Sequence, residues 1–471
     1  MFKLRYIPFF LFICFLVALL CVSCISKNKD YKLPTMSLRD LGEYEYYWEE
    51  GRNRDWEKDI HSLYITLLQR HPLLCDGVSY IHTKDAAFSH LIYGRRAKKE
   101  WETFYDQSIK HEVSEKIKSL IMNLSLLDDI EIILSLSEVL ALLDDSHTSI
   151  LVYFWDEVYP LEFSSFYNGF YCISAPATHE NLLYSKLYAI NGVSIDEIIE
   201  RSGSIIPHEN EYFLKMLLPE YIIGKDFLIY LGITDDTGEV GYSFIDSEGH
   251  VSKLTVDPIK NDELEFIDTV SHNINYEEYL MHSNPDENYW YEYRPDDRLM
   301  YIRYKSCIEM IDIPYSIFVK NLVNEIKVLS VSGDVDKIVI DLRYNGGGDI
   351  YELTFAHVAQ TMTGIYKGPI YILINNETLS AGIVYSSMLK SIFDNSYLVG
   401  EPTGAPPNFF AYGGVYELPL SSILYTVSGG AIRMSDYNAV AIIPDIYIPF
   451  TIDDFKNDHD PVLEAIKVLE Y

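Results

Sequence analysis

The chain has little positive charge: 37 lysines and arginines stand against 70 aspartates and glutamates, for a formal charge of −33 over 471 residues. A surface this acidic repels phosphate, so nucleic acid is excluded as a partner and the folded body is kept off anionic lipid. Cysteine is scarce. Beyond residue 24 only Cys75, Cys172 and Cys307 remain, too widely spaced for a disulfide scaffold or a zinc site, with one disulfide at most. The 13 histidines are scattered. No His-x-x-x-His helix or carboxylate cluster stands out, so no metal and no other cofactor is expected. No Gly-x-Gly-x-x-Gly loop follows a strand, and the run Gly346-Gly347-Gly348 lacks the Gly-Lys-Ser/Thr of a phosphate cradle.

Long apolar runs are also lacking, with one exception at the amino terminus. Lys3 and Arg5 precede an almost wholly apolar stretch from Ile7 to Val22. Val22-Ser23-Cys24 resembles the end of a bacterial lipoprotein signal, with Cys24 as the lipid-anchored residue; Cys21 stands where leucine is usual. An uncleaved signal anchor is the alternative, because the run is near the length that crosses a bilayer. Either way the bulk of the chain is extracytoplasmic, as a membrane-tethered lipoprotein or a secreted protein. Residues 1–24 are the signal and 25–39 a polar tether. The remaining chain is long enough for two or three domains.

The most informative stretch is Val335 to Gly404. Lys337 to Asp341 reads as a buried strand running into Tyr344-Asn345-Gly346-Gly347-Gly348. A helix-like segment, Tyr351 to Thr363, is followed by a strand at Ile370 to Ile374. Then come Leu379-Ser380-Ala381-Gly382, a second helix to Ile392, and a strand ending in Gly400-Glu401-Pro402-Thr403-Gly404. Strand, loop and helix in alternation mark an α/β layered fold, with sites at the carboxyl ends of the strands. Ser380 opens a helix, where free backbone amides can face a developing negative charge. It reads either as a nucleophile beneath an oxyanion cradle or as an ordinary N-cap beside a glycine turn.

The motifs Asp341-Leu342-Arg343-Tyr344-Asn345-Gly346-Gly347-Gly348, Leu379-Ser380-Ala381-Gly382 and Val399-Gly400-Glu401-Pro402-Thr403-Gly404 occur in an order and spacing that resemble serine peptidase family S41. This family holds the C-terminal processing and tricorn proteases. The resemblance covers mainly Leu299 to Tyr447. It implies a multidomain α/β protein with a ClpP/crotonase-like catalytic core at 299–471. Upstream, 40–153 reads as a helical amino-terminal region, with helices at Ala87 to Phe104, Val113 to Leu126 and Asp128 to Leu143. Residues 160–258 read as a β-rich domain that is similar to a degenerate PDZ domain. Its strand candidates include Leu217 to Ile223 and Phe227 to Ile233, although Pro219 argues against a central strand. Residues 259–298 read as a linker or insertion.

The helix at Asp128 to Leu143 ends in Asp144-Asp145-Ser146-His147-Thr148, followed by an expected strand at Ser149 to Phe154. By itself His147 reads as a turn histidine. Ser146-His147 fits the tricorn-like branch, however, in which the catalytic histidine lies in such a loop. The serine–lysine branch has a Gly-Lys pair after the Gly-Glu turn. Here that pair is Gly404-Ala405, and no lysine occurs between Lys390 and Lys456. The resemblance therefore implies Ser380 as nucleophile and His147 as base, oriented by Ser146 or a carboxylate. Asp436 is the carboxylate nearest the matching position, which is Asn438, and Glu401 is its competitor. Gly347 and Ala381 supply backbone oxyanion donors, and Asp341 and Arg343 support the glycine loop. The implied activity is peptide-bond hydrolysis in unfolded proteins or protein C-termini. Polypeptide is the partner and a homo-oligomer is open. The alternatives are an inactive peptide-binding protein on the same fold and another secreted acyl hydrolase; the latter lacks the usual Gly-x-Ser-x-Gly around Ser380.

Overall fold

The computed structural model describes residues 52–75, 106–151, 155–236, 238–246, 248–272, 286–348, 361–411, 413–435 and 438–469. The signal, the tether, Cys24, the helix expected at Ala87 to Phe104, most of that expected at Tyr351 to Thr363, and Asp436 lie outside the described residues. Among the described residues no helix is long and apolar enough to cross a membrane, and no disulfide joins Cys75, Cys172 or Cys307.

The protein is a multidomain α/β chain. Among the described residues the first elements are the helices α1 (Arg52–Arg70), α2 (Gln107–Asn123) and α3 (Asp129–Ala141). A capping box between Asp128 and Glu131 starts α3. Ile60, Leu63 and Leu67 of α1, Val113, Ile117 and Leu120 of α2, and Ile132, Leu136, Val139 and Leu140 of α3 recur at three- and four-residue spacing and form one core. Leu418, Tyr425 and Val427, from far along the chain, complete that core. The helical region is thus packed against a carboxyl-terminal element.

The middle region holds β1 (Glu157–Val158), β2 (Glu162–Phe166), β3 (Gly169–Pro176), β4 (Lys186–Ile190), β5 (Val193–Ser194), β6 (Val240–Ile245), β7 (Val251–Val256), β8 (Ile259–Lys260) and β9 (Thr269–Ser271). The main sheet runs β2-β3-β4-β6-β7, with β5 on β4 and β9 on β3. Three helices interrupt it: α4 (Ile195–Gly203), α5 (Glu211–Tyr221) and α6 (Lys225–Tyr230). Two strand expectations are corrected. Most of Leu217 to Ile223 lies in α5 and most of Phe227 to Ile233 in α6. Asn210 caps α5 through Phe213 N, and Phe213, Leu214, Leu217, Leu218 and Tyr221 bury one helical face. Pro219 lies inside α5, so its missing amide weakens the second half without ending the helix.

The central sheet runs β10 (Tyr289–Arg294), β11 (Leu299–Tyr304), β12 (Lys337–Asp341), β13 (Ile370–Ile374), β14 (Ser396–Gly400) and β19 (Ile446–Tyr447), six strands in that order. Only β10, at one edge, is antiparallel to its neighbour. The stretch 259–298, read as a linker or insertion, therefore contributes β8, β9 and an edge strand of this sheet. Alternate residues divide between two apolar layers. Ile302, Ile340 and Ile372 join the core that holds α7 (Tyr315–Ser332) and α8 (Ala381–Ile392). Tyr301, Val339 and Tyr371 face Val462, Leu463 and Ile466. Those three lie in α10 (Pro461–Val468), which follows the short α9 (Ile452–Lys456). Burial on both faces explains why these strands are continuous apolar runs. Before β19 the chain forms two antiparallel pairs, β15 (Asn408–Ala411) with β18 (Gly430–Arg433) and β16 (Gly414–Glu417) with β17 (Leu424–Val427).

The β16–β17 hairpin is the piece that enters the helical core. Asp59 of α1, 1% exposed, accepts hydrogen bonds from Leu420 N at 2.9 Å and Ser421 N at 2.8 Å at the hairpin tip. Ile150 makes a single bridge to Tyr425. That bridge is what the structure describes of the strand expected at Ser149 to Phe154, of which residues 152–154 lie outside the described residues.

Candidate active site

Two loops at the carboxyl ends of β12 and β13 meet at Ser380. The turn after β13 is pinned by Asn375, whose Oδ1 accepts hydrogen bonds from Tyr344 N at 2.9 Å and Glu377 N at 3.2 Å. The Thr378 hydroxyl ties the same turn to Leu342 O at 3.0 Å. Ser380 then adopts φ 48 and ψ −118, a backbone conformation costly for a side-chain-bearing residue. Its side chain makes no capping bond to α8. Ser380 is the N-cap residue of α8, as one of its two readings expects, but its hydroxyl makes no bond to the helix it opens. A strained serine on a sharp strand-to-helix turn is the geometry that presents a nucleophile.

The glycine run fits against that serine. A β-carbon on Gly347 would stand 2.6 Å from Ser380 Cβ, 3.1 Å from Ser380 Oγ and 3.0 Å from Ala381 N, and φ is +105. One on Gly382 would stand 2.8 Å from the Asn345 carbonyl. Asn345, fully buried, organises the contact. Its carbonyl accepts from Leu379 N at 2.9 Å, its Nδ2 donates to Tyr304 O at 2.6 Å, and its Oδ1 accepts from Gly347 N at 2.9 Å. Ala381 occupies the first position of α8, where an amide has no intrahelical acceptor. Of the two expected oxyanion donors, one is thus at a helix start. The other is already bonded to the Asn345 side chain, and an oxyanion would have to share or displace that bond.

Behind the glycine loop lies a buried charge cluster. Arg343 Nη2 bonds Asp341 Oδ2 at 2.6 Å and Asp460 Oδ2 at 2.7 Å, and Arg303 Nη1 lies 3.2 Å from Asp341 Oδ1. Burial alone would raise the Asp341 pKa, but the charges of Arg343 and Arg303 bring it down to about 2. Asp460 also caps α10 through Val462 N and Leu463 N. Asp341 and Arg343 therefore fasten the glycine loop to α10 and stay out of solvent.

The second half of the site is the loop after α3. Asp145 is buried and accepts from His71 Nε2 at 3.1 Å, Thr148 Oγ1 at 2.6 Å and His147 N at 3.0 Å. Ser146 donates from N at 3.1 Å and from Oγ at 2.8 Å to Glu209 Oε1. The His147 ring stacks on Phe409 of β15 with centroids 5.8 Å apart. His147 Nδ1 lies 3.8 Å from both Asp145 Oδ1 and Glu209 Oε1. Burial works against a charged imidazole, yet the two carboxylates outweigh it and raise the His147 pKa above its ordinary value.

The two halves are joined through the middle region. Asn210, next to Glu209, donates from Nδ2 to Thr403 O at 3.2 Å and to Val440 O at 2.8 Å. Gly404 in turn packs on Asn376 and Leu379, immediately before Ser380. Phe409 belongs to the same apolar core as Leu379 and Ala381. Among the described residues no hydrogen bond links the His147 ring to Ser380. Glu401 does not join either group: its carboxylate accepts from Phe450 N at 3.3 Å, and burial pushes its pKa up to about 7. Glu209, Asp145, His71 and Asn345 do not stand out in the sequence as site residues. Of these, Asp145 alone lies in the loop that carries His147. Asp145, His147 and Glu209 also bring ligand atoms within 4.8 Å of one another, the spacing at which a metal ion can be held. Asp145 already accepts three hydrogen bonds, so the group is first of all a hydrogen-bonding cluster.

No family model and no curated protein matches the chain. Solved structures do. Mature CPAF aligns with 86% of this chain and 94% of its own, at 13% identity and TM-score 0.55. Mature CPAF complexed with lactacystin aligns with 86% and 96%, at 12% identity and TM-score 0.54. At these identities the likeness carries the fold alone.

Proposed function

We propose that the protein is an extracytoplasmic serine endopeptidase of the tricorn-like S41 type, tethered through Cys24. It would hydrolyse unfolded polypeptide or protein C-termini through an acyl-enzyme. The observation that carries this reading is Ser380: a strained, uncapped hydroxyl at a helix start, with Gly347 against it. On this reading the core is ClpP/crotonase-like and the middle sheet a PDZ-like module.

In the first step Ser380 Oγ attacks the scissile carbonyl carbon and His147 accepts the hydroxyl proton. The oxyanion is held by the Ala381 amide and by Gly347, whose amide exchanges Asn345 Oδ1 for the substrate oxygen. The intermediate collapses, the C–N bond breaks, and His147 returns its proton to the leaving amine. Water then attacks the ester with His147 again as base, releasing the new carboxyl terminus and restoring Ser380. The carboxylates beside His147 stabilise the imidazolium in both steps.

A second reading, peptide binding without turnover, is favoured by one observation: the Gly347 amide is occupied by Asn345. Cleavage of an unfolded protein by residues 25–471, beside Ser380→Ala and His147→Ala, separates the two. The peptidase reading expects cleavage by the parent, lost in both variants. Peptide binding with equal background in all three supports the second.

A further inference from the structure

Resting on the Ser380–His147 reading, we infer that Glu209 is the positioning residue that holds the His147 imidazole. Two buried atoms near each other stand without partners. His147 Nδ1 has no hydrogen-bond partner, and neither has Glu209 Oε2. Glu209 is 3% exposed at its side chain, and its other oxygen stands 3.8 Å from Nδ1. Buried polar atoms are rarely left unpaired, because each forgoes the hydrogen bond that water would give it. Here the two orphans belong to neighbouring side chains, one a ring nitrogen that donates when protonated and the other a carboxylate acceptor. A modest turn of ring or carboxylate closes the gap to the ~2.8 Å of a charge-assisted bond. Such bonds are often long before substrate arrives.

Asp145 is equally near, with Oδ1 3.8 Å from Nδ1, but both of its oxygens already accept hydrogen bonds. His71 and Thr148 occupy Oδ2, and the His147 backbone amide occupies Oδ1. Asp145 therefore shapes the loop, whereas Glu209 keeps one oxygen open. Ser146 fixes the other Glu209 oxygen from two donors, which gives the Ser146-His147 pair a physical role: the serine holds the acid that holds the histidine. Phe409 stacks on the ring and brings no charge, so among the described residues Asp145 and Glu209 are the ionisable groups that face the imidazole, with His71 beyond Asp145. A proton kept on Nδ1 by Glu209 leaves Nε2 as the lone-pair nitrogen, the tautomer a general base needs. Glu209 comes from the loop before α5, far along the chain from Asp436.

The test compares the parent with Glu209→Gln, Glu209→Asp and Asp436→Asn, in chelator-containing buffer so that no cation occupies the cluster. Glu209→Gln is expected to lower kcat by ~10²–10⁴ with KM little changed, as when the orienting acid of a triad is neutralised. Glu209→Asp should recover part of this. The acidic limb of the kcat/KM profile should move to lower pH in Glu209→Gln, since a carboxylate that raised the histidine pKa is gone. Independently of turnover, a downfield Nδ1–H resonance of His147 should be present in the parent and in Ser380→Ala and absent in Glu209→Gln. Parental kcat and an unmoved limb in Glu209→Gln, or a resonance that survives it, would overturn the assignment. So would loss of activity in Asp436→Asn alone. If the parent itself has no peptidase activity, the peptidase reading falls, and the resonance still decides the role of Glu209.

Discussion

A β-carbon on Gly347 would stand 2.6 Å from the β-carbon of Ser380, so the two loops meet at a distance that only glycine permits. Gly347→Ala meets both this clash and a φ of +105, which L-residues rarely adopt. The loop must move away from Ser380, taking an expected oxyanion donor with it. The expected result is a fall in kcat of ~10²-fold or more, with a melting temperature lowered by several degrees. Steady-state kinetics and a thermal melt check the two effects on one sample.

Ser380 stores backbone strain that its own replacement can release. At φ 48 and ψ −118 a β-carbon costs ~1–3 kcal/mol. Glycine escapes that cost but loses roughly 0.4–1 kcal/mol through a more flexible unfolded chain. Relief exceeds loss, so Ser380→Gly should be more stable than Ser380→Ala by about 1 kcal/mol, with both expected to be inactive. Paired denaturant titrations read this difference directly. Equal stability would mean that the turn relaxes and stores nothing.

Glu401 leads to a prediction of the opposite kind, about pH. Burial lifts its pKa from an ordinary 4.5 to about 7, only partly offset by the Phe450 amide and the Arg343 charge. The folded state therefore holds a proton that the unfolded state has lost between those values. Stability falls as pH rises from 4.5 toward 7 and stays lower above it. Glu377 and Glu220, pushed up to about 8 and about 7 by burial, slope the same way, so the comparison must be with a single variant. Glu401→Gln should match the parent near pH ~4.5 and exceed it by roughly 1–3 kcal/mol at pH ~8, as measured by chemical denaturation at both values. A gain that is the same at both pH values would rule this out.

The central sheet is legible in the sequence because its strands are apolar on both faces and end in glycine-rich loops. β12 and β13, α8 and the turn at Ser380 fall where the pattern puts them. The middle helices are not legible in the same way. Leu217 to Ile223 is a short apolar run, and a buried strand and a buried helix look alike at that length. Only the N-cap at Asn210 and the spacing from Phe213 to Tyr221 distinguish α5. The groups around His147 are hidden for another reason. His71 and Asp145 are 74 residues apart, Ser146 and Glu209 are 63 apart, and Asp59 meets the hairpin tip across 361 residues. Such pairings are set by packing, and no local motif announces them. The acid expected near Asn438 follows from the resemblance alone, and Asp436 lies outside the described residues.

The central claim is that Ser380 is an activated nucleophile served by His147. A fluorophosphonate probe reads it without knowledge of the substrate, because the serine oxygen displaces fluoride from phosphorus and its proton passes to the base. Intact-mass analysis of residues 25–471 should show one adduct per chain, mapped to Ser380. The adduct should be absent from Ser380→Ala and should form ~10²-fold or more slowly in His147→Ala. A folded parent that takes up no probe, or a His147→Ala variant labelled at the parental rate, would contradict the account.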